Sequence, residues 1–152
     1  MIRLVFISSF LLLLISCGKA PLYEKSYSFQ QSTWNQKEKP YFKVHIKDTS
    51  KLYNFTLSLR VSTDYEFNNI WFYLNSTTPS GLKGREPFEM KITAPDGTWI
   101  GKKTGTIVET QIYFKSRKLP EAGDYIFTLE QGVTQKELKN VLDVVFSIDE
   151  AP

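Results

Sequence analysis

The sequence predicts an all-β protein: a single antiparallel β-sandwich, immunoglobulin-like, of about seven strands, placed after a lipoprotein signal peptide. Three observations predict it. Apolar residues recur at every second position in run after run, the pattern of a half-buried strand. Aromatic residues make up 14% of the 152-residue chain, chiefly Phe and Tyr, which favour strands over helices. Pro and Gly clusters separate the runs, and no helical-period segment lies between them to serve as the crossover that parallel strands need.

The chain opens with Arg3 and then an apolar run over residues 4–15, broken only by Ser8 and Ser9. Crossing a bilayer takes about 20 residues, so the run is too short to span. A charged start, an apolar middle and a small-residue exit mark residues 1–16 as a secretory signal peptide. Leu14-Ile15-Ser16-Cys17 reads as a bacterial lipobox, in which Cys17 is diacylated on sulfur, cleavage follows Ser16 and the new amino group is acylated. Several chains anchor stably where one does not, each buried methylene contributing roughly 0.8 kcal/mol. Because Cys17 is the sole cysteine, no disulfide can form, and acylation withdraws it from thiol chemistry.

Residues 17–36 are polar and without a sustained period, and read as the acylated cysteine and a tether; residues 37–152 read as the sandwich domain. The first strand places Phe42, Val44 and Ile46 on one side and Lys43, His45 and Lys47 on the other. The second sets Tyr53, Phe55, Leu57, Leu59 and Val61 inward. Residues 69–75, NIWFYLN, are apolar on both faces, as a central strand would be, and TPSGLKG behind them supplies turn chemistry. Phe88, Met90 and Ile92 alternate in a fourth strand, closed by Pro95-Asp96-Gly97, where Pro presets φ and Gly accepts a positive φ. Further strands are read at residues 107–114, 125–130 and 141–148, the last with Leu142, Val144, Phe146 and Ile148 inward. The one helical hint is Thr134-x-x-Glu137, a capping-box pattern good for a turn before the last strand.

Glu121 to Phe127, EAGDYIF, puts Tyr125 at the start of the penultimate strand like the tyrosine corner of immunoglobulin-like sandwiches. Trp71 reads either as the companion core tryptophan or, if Ile70, Phe72 and Leu74 are the buried set, as an outward residue. The second phase leaves a jelly-roll sandwich open.

Catalytic and nucleic-acid chemistry find little footing. The 19 basic and 16 acidic residues are spread along the chain, without the basic patch a nucleic acid requires. His45, the only histidine, falls on the polar side of its strand. No nucleophile elbow, phosphate loop or His/Cys metal spacing occurs, and Asp64-x-Glu66-x-Asn68 lacks the glycine and distal glutamate of a calcium loop, so it reads as a turn; no cofactor and no metal are expected. Two sequons, at Asn54 and Asn75, read as chance matches in a bacterial chain.

Taken in order, Cys17, TWN, IKDTSKLYNFTLSLRVSTDYEFNNIWF, APDGTWIG, LPEAGDYIFTLEQG and LKNVLDVVFSI resemble the gliding-motility lipoprotein GldH family of Bacteroidetes, over about residues 23–148. The most specific parts run from Leu59-Arg60 through Asp64-Tyr65 to Asn69, from Pro95 to Gly101, and from Glu121 to Tyr125. The resemblance implies an accessory component of gliding that works with other envelope proteins supporting surface-adhesin movement and type IX secretion, and a membrane tie through the acyl chains on Cys17. Two functions then stand side by side. One is a non-enzymatic scaffold whose edge, or whose outward face with Trp71 and Tyr73, contacts another envelope protein. The other is a glycan-binding lipoprotein that uses Trp34, Trp99 and nearby tyrosines as stacking platforms. An open, coplanar aromatic pair in a groove would favour glycan, and a flat face would favour a protein. Gly18 supplies no inner-membrane retention signal and Lys19 is the only charge between Cys17 and Glu24, which favours the periplasmic face of the outer membrane.

Overall fold

The computed structural model describes residues 20–152, so the signal peptide and Cys17 lie outside the described residues. Eleven strands follow one another: β1 (Tyr23–Ser28), β2 (Thr33–Asn35), β3 (Tyr41–Ile46), β4 (Leu52–Ser62), β5 (Asn69–Thr77), β6 (Lys83–Lys91), β7 (Lys102–Thr104), β8 (Ile107–Lys118), β9 (Gly123–Gln131), β10 (Glu137–Lys139) and β11 (Val141–Glu150). They form a five-stranded sheet, β1-β11-β4-β8-β7, a four-stranded sheet, β3-β9-β5-β6, and a two-stranded ribbon, β10-β2. The antiparallel sandwich stands as expected, with more strands than the seven read from the sequence.

Setting aside the three-residue strands β2, β7 and β10, the long strands run first, last, third and sixth in one sheet and second, seventh, fourth and fifth in the other. That is the order of a double-sheet jelly roll, where an immunoglobulin sandwich joins its first strand to its second. Tyr125 nonetheless makes the corner contact: the Glu121 N–H donates to its hydroxyl at 3.0 Å. The corner is a local device, compatible with either connection.

The core lies between the sheets, and its phases follow the alternation. Phe42, Val44 and Ile46 of β3, Tyr53, Phe55, Leu57, Leu59 and Val61 of β4, and Phe127 and Leu129 of β9 are all buried. β5 turns Ile70 and Phe72 inward and Trp71 outward. The core tryptophan is instead Trp34, from the stretch read as tether. It stacks on Phe29 with ring centroids 4.8 Å apart, donates from Nε1 to the Glu38 carbonyl at 2.9 Å, and accepts at its own carbonyl from the Gln131 amide at 2.9 Å. The sandwich therefore starts at Tyr23, where β1 pairs with β11, and not at residue 37. In β11 a register shift between Val141 and Asp143 leaves Leu142 half-buried and buries its two neighbours, because a bulge re-aims the side chains that follow it. The segment after Thr134 makes β10, paired with β2, and no helix.

The turn at residues 94–98 closes as read, with Gly97 at φ 83° donating its N–H to the Ala94 carbonyl at 2.9 Å. Gly101, just beyond, packs so tightly that a Cβ there would stand 2.2 Å from the Glu109 carbonyl oxygen.

Candidate partner-binding face

The outward side chains of the four-stranded sheet form rows fixed by strand register. Trp71 lies opposite Glu89, Tyr73 between Glu130 and Pro87, and Asn75 between Thr128 and Arg85. Tyr41 faces Thr128 from β3, and His45 faces Asp124. Packing of the opposing sheet fixes which side of each strand faces out, and the register brings these residues side by side.

At the centre of this face the Arg85 guanidinium lies over the Tyr73 ring, 3.8 Å from its centroid. The same guanidinium donates to the Asn75 side-chain oxygen at 3.1 Å and to Glu130 Oε2 at 2.8 Å, while Lys39 Nζ approaches that carboxylate to 3.4 Å. The bond from Arg85, followed by the charge of Lys39, holds the Glu130 carboxyl below its usual range. Further along, Asp124 takes Lys43 at 2.8 Å and His45 at 2.7 Å, and these two bonds, Lys43 first, hold it below the ordinary aspartate range. Such exposed pairs are screened by solvent, so they order the face more than they stabilise the fold. Trp71 projects beside this network at 45% exposure, and Tyr41 stands at 58%. Aromatic and arginine side chains at the centre of a face, ringed by paired charges, are the groups that dominate protein contacts.

The four aromatic residues singled out from the sequence do not meet. Trp71 and Tyr73 share the face; Trp34 is in the core; Trp99 packs half-buried against the core, in the loop between β6 and β7. Cys17 lies outside the described residues. Sequence reading missed Arg85, Asn75 and Glu130, and of the two charges only Glu130 had a local signal, as a charge on the strand read at residues 125–130. Asp64 and Glu66 are exposed turn residues. Among the described residues no group of three His, Cys, Asp or Glu side chains stands close enough to hold a metal ion.

The fold and face together define a jelly-roll β-sandwich with an ordered aromatic and charge-paired outer face. The chain belongs to the GldH lipoprotein family, whose profile matches residues 21–148. It is 29% identical over 146 residues to the gliding motility lipoprotein GldH of Flavobacterium johnsoniae, covering 91% of this chain and 91% of that one. It is 26% identical over 156 residues to a GldH homolog of Christiangramia forsetii, covering 97% and 95%. Among solved structures, tripeptidyl peptidase 2 aligns over 81% of this chain and 10% of that one, with 7% identity and a TM-score of 0.47. The family resemblance read from the motifs is met.

Proposed function

We propose that this chain is an envelope lipoprotein that serves gliding motility as a non-enzymatic accessory, holding another envelope component of the motility or secretion apparatus against the outer face of the β3-β9-β5-β6 sheet. The observation that carries the reading is the family match over residues 21–148, with relatives named for gliding motility. The anchor is the acylated Cys17, in the outer membrane with the sandwich on its periplasmic side. The face supports contact with a protein better than with a glycan. A stacking platform needs open rings, but one side of Tyr73 is occupied by Arg85 and Trp34 is enclosed.

The test replaces Trp71 in the full chain, in its own cells, by a photo-crosslinking residue, with Ser147 on the other sheet as the control position. Light should join position 71, and not 147, to one envelope component. The double variant Trp71→Ala/Arg85→Ala, present at normal level, should spread on agar at a small fraction of the parental rate. Parental spreading by that variant would remove this face from the proposal.

A further inference from the structure

The two sheets do not close on each other along their whole length. β7 pairs only with Ile107, Val108 and Glu109 of β8, so from there on β8 forms one lip of a gap whose other lip is β6. Between them opens a cavity of 260 Å³. Its walls are mainly apolar, formed by Phe55, Phe88, Phe114, Phe127 and Leu74, with Ser76 and Thr78 also at the lining. Arg117, Lys118 and Glu86 also line it. Arg117 is half exposed and touches Glu86 only at 4.0 Å, a loose pair, which leaves the cationic side in excess.

The position of this cavity is set by register. Tyr23 pairs with Ile148, Ile148 with Phe55, and Phe55 with Phe114. The chain therefore enters the sandwich at the same end as the cavity. On the reading that Cys17 carries the anchor, five residues, allowing a reach of at most about 20 Å from Cys17 to Tyr23, separate this end from the bilayer. The cavity is at the membrane-proximal end of the domain.

We propose that this cavity binds a single-chain anionic amphiphile of the fatty-acid class, with its alkyl chain among the phenylalanine rings and its carboxylate at Arg117 and Lys118. Charge and shape agree with that occupant: the walls give an alkyl chain mainly ring and aliphatic surface, and two cations line the same cavity. Size sets the chain length. A 150 Å³ apolar cavity holds benzene, six carbons, so 260 Å³ accommodates about ten. Each further methylene buried, up to that limit, should strengthen binding about fourfold.

The experiment uses the mature chain from residue 17 with Cys17→Ser, which carries no acyl group, and titrates it by calorimetry with hexanoate, octanoate, decanoate and dodecanoate. Binding should be saturable at one site, tighten by about fourfold per methylene to decanoate, and then level off. Arg117→Ala/Lys118→Ala, changed only at the rim, should weaken decanoate at least fivefold and leave decanol unaffected. Ser76→Phe, at another lining position, should abolish binding in a protein whose circular dichroism is unchanged. No saturable binding, equal binding by all chain lengths, or indifference to the rim variant would overturn the proposal. The acylated protein is the last arm. If it refuses decanoate that the unacylated chain accepts, the occupant is the protein's own acyl group and the free amphiphile is excluded. Neither result bears on the sheet face assigned to the partner, which the crosslink tests separately.

Discussion

The residues that make the family resemblance specific prove to be structural ties. Arg60 reaches across from β4 to make a two-pronged pair with Asp143 of β11, at 2.7 Å on both arms, and Asp143 is buried. The Asn140 side chain donates to the Asp64 carbonyl at 2.9 Å, and the Tyr65 hydroxyl to the Asn69 carbonyl at 3.2 Å. Glu121 receives the Ser80 N–H at 2.8 Å, joining the β5–β6 and β8–β9 loops. Tyr65 gives a pH test. Its burial pushes the phenol well above the ordinary tyrosine range near 10. The unfolded chain releases this proton near pH 10 while the folded one keeps it. The contribution is therefore complete below about pH 10 and is lost as the pH rises through the folded value. Tyr65→Phe should cost about 1 kcal/mol at neutral pH for the lost hydrogen bond. The gap between parent and variant in urea unfolding should narrow between pH 9 and 11. A gap that stays constant across that range would mean that Tyr65 is not the group responsible.

Among the elements, those with long alternating runs were legible, because burial of one sheet face imposes a period of two on the sequence itself. β3, β4, β9 and most of β8 and β11 are of this kind. β1 was not legible, since an edge strand with the pattern YEKSYS half-buries only Tyr23 and Tyr27. β2, β7 and β10 have three residues each, too few to show any period. The orientation of Trp71 was undecidable locally, because β5 is apolar on both faces at that point and only the opposing sheet selects Ile70 and Phe72. For the same reason the candidate face was half readable: Trp71 and Tyr73 stand out as aromatics, but their union with Arg85 and Glu130 exists only once the β5-β6 and β5-β9 registers are set. The least expected element is the crossing from Phe29 to Trp34, which passes through positive φ at Gln31 and Ser32. Trp34 seals the core against Leu57, Leu59, Phe72, Met90, Leu129 and Val144. Trp34→Ala should therefore cost about 3–5 kcal/mol, as a large-to-small core change, read from the urea midpoint at constant slope. A loss under 1 kcal/mol would return residues 29–36 to the role of a tether.

For the whole molecule, the early start of β1 changes how the domain meets the membrane. A tether from residue 17 to 36 would have let the sandwich stand off the bilayer by the reach of a coil; with the proposed anchor at Cys17, the five residues between it and Tyr23 would hold the sandwich within about 20 Å. β4, with 11 residues, spans roughly 35 Å along its axis at about 3.3 Å per residue. With the proposed anchor at Cys17, the end bearing residues 47–51, 78–82 and 119–122 would face the lipid, and the loops at residues 63–68, 92–101 and 132–136 would face away. The Trp71 end of β5 lies toward the far side, where a partner projecting into the periplasm can approach it without displacing lipid. Membrane anchoring agrees with membership in a lipoprotein family; the leaflet is the open prediction. Gly18 gives no retention signal, and no acidic residue precedes Glu24, so delivery should stop at the periplasmic face of the outer membrane. Protease added to intact cells should spare the domain and digest it once the outer membrane is permeabilised, with cleavage beginning in the loops farthest from the anchor. Digestion in intact cells would put the sandwich on the cell surface, and the partner face would then have to be sought among extracellular components.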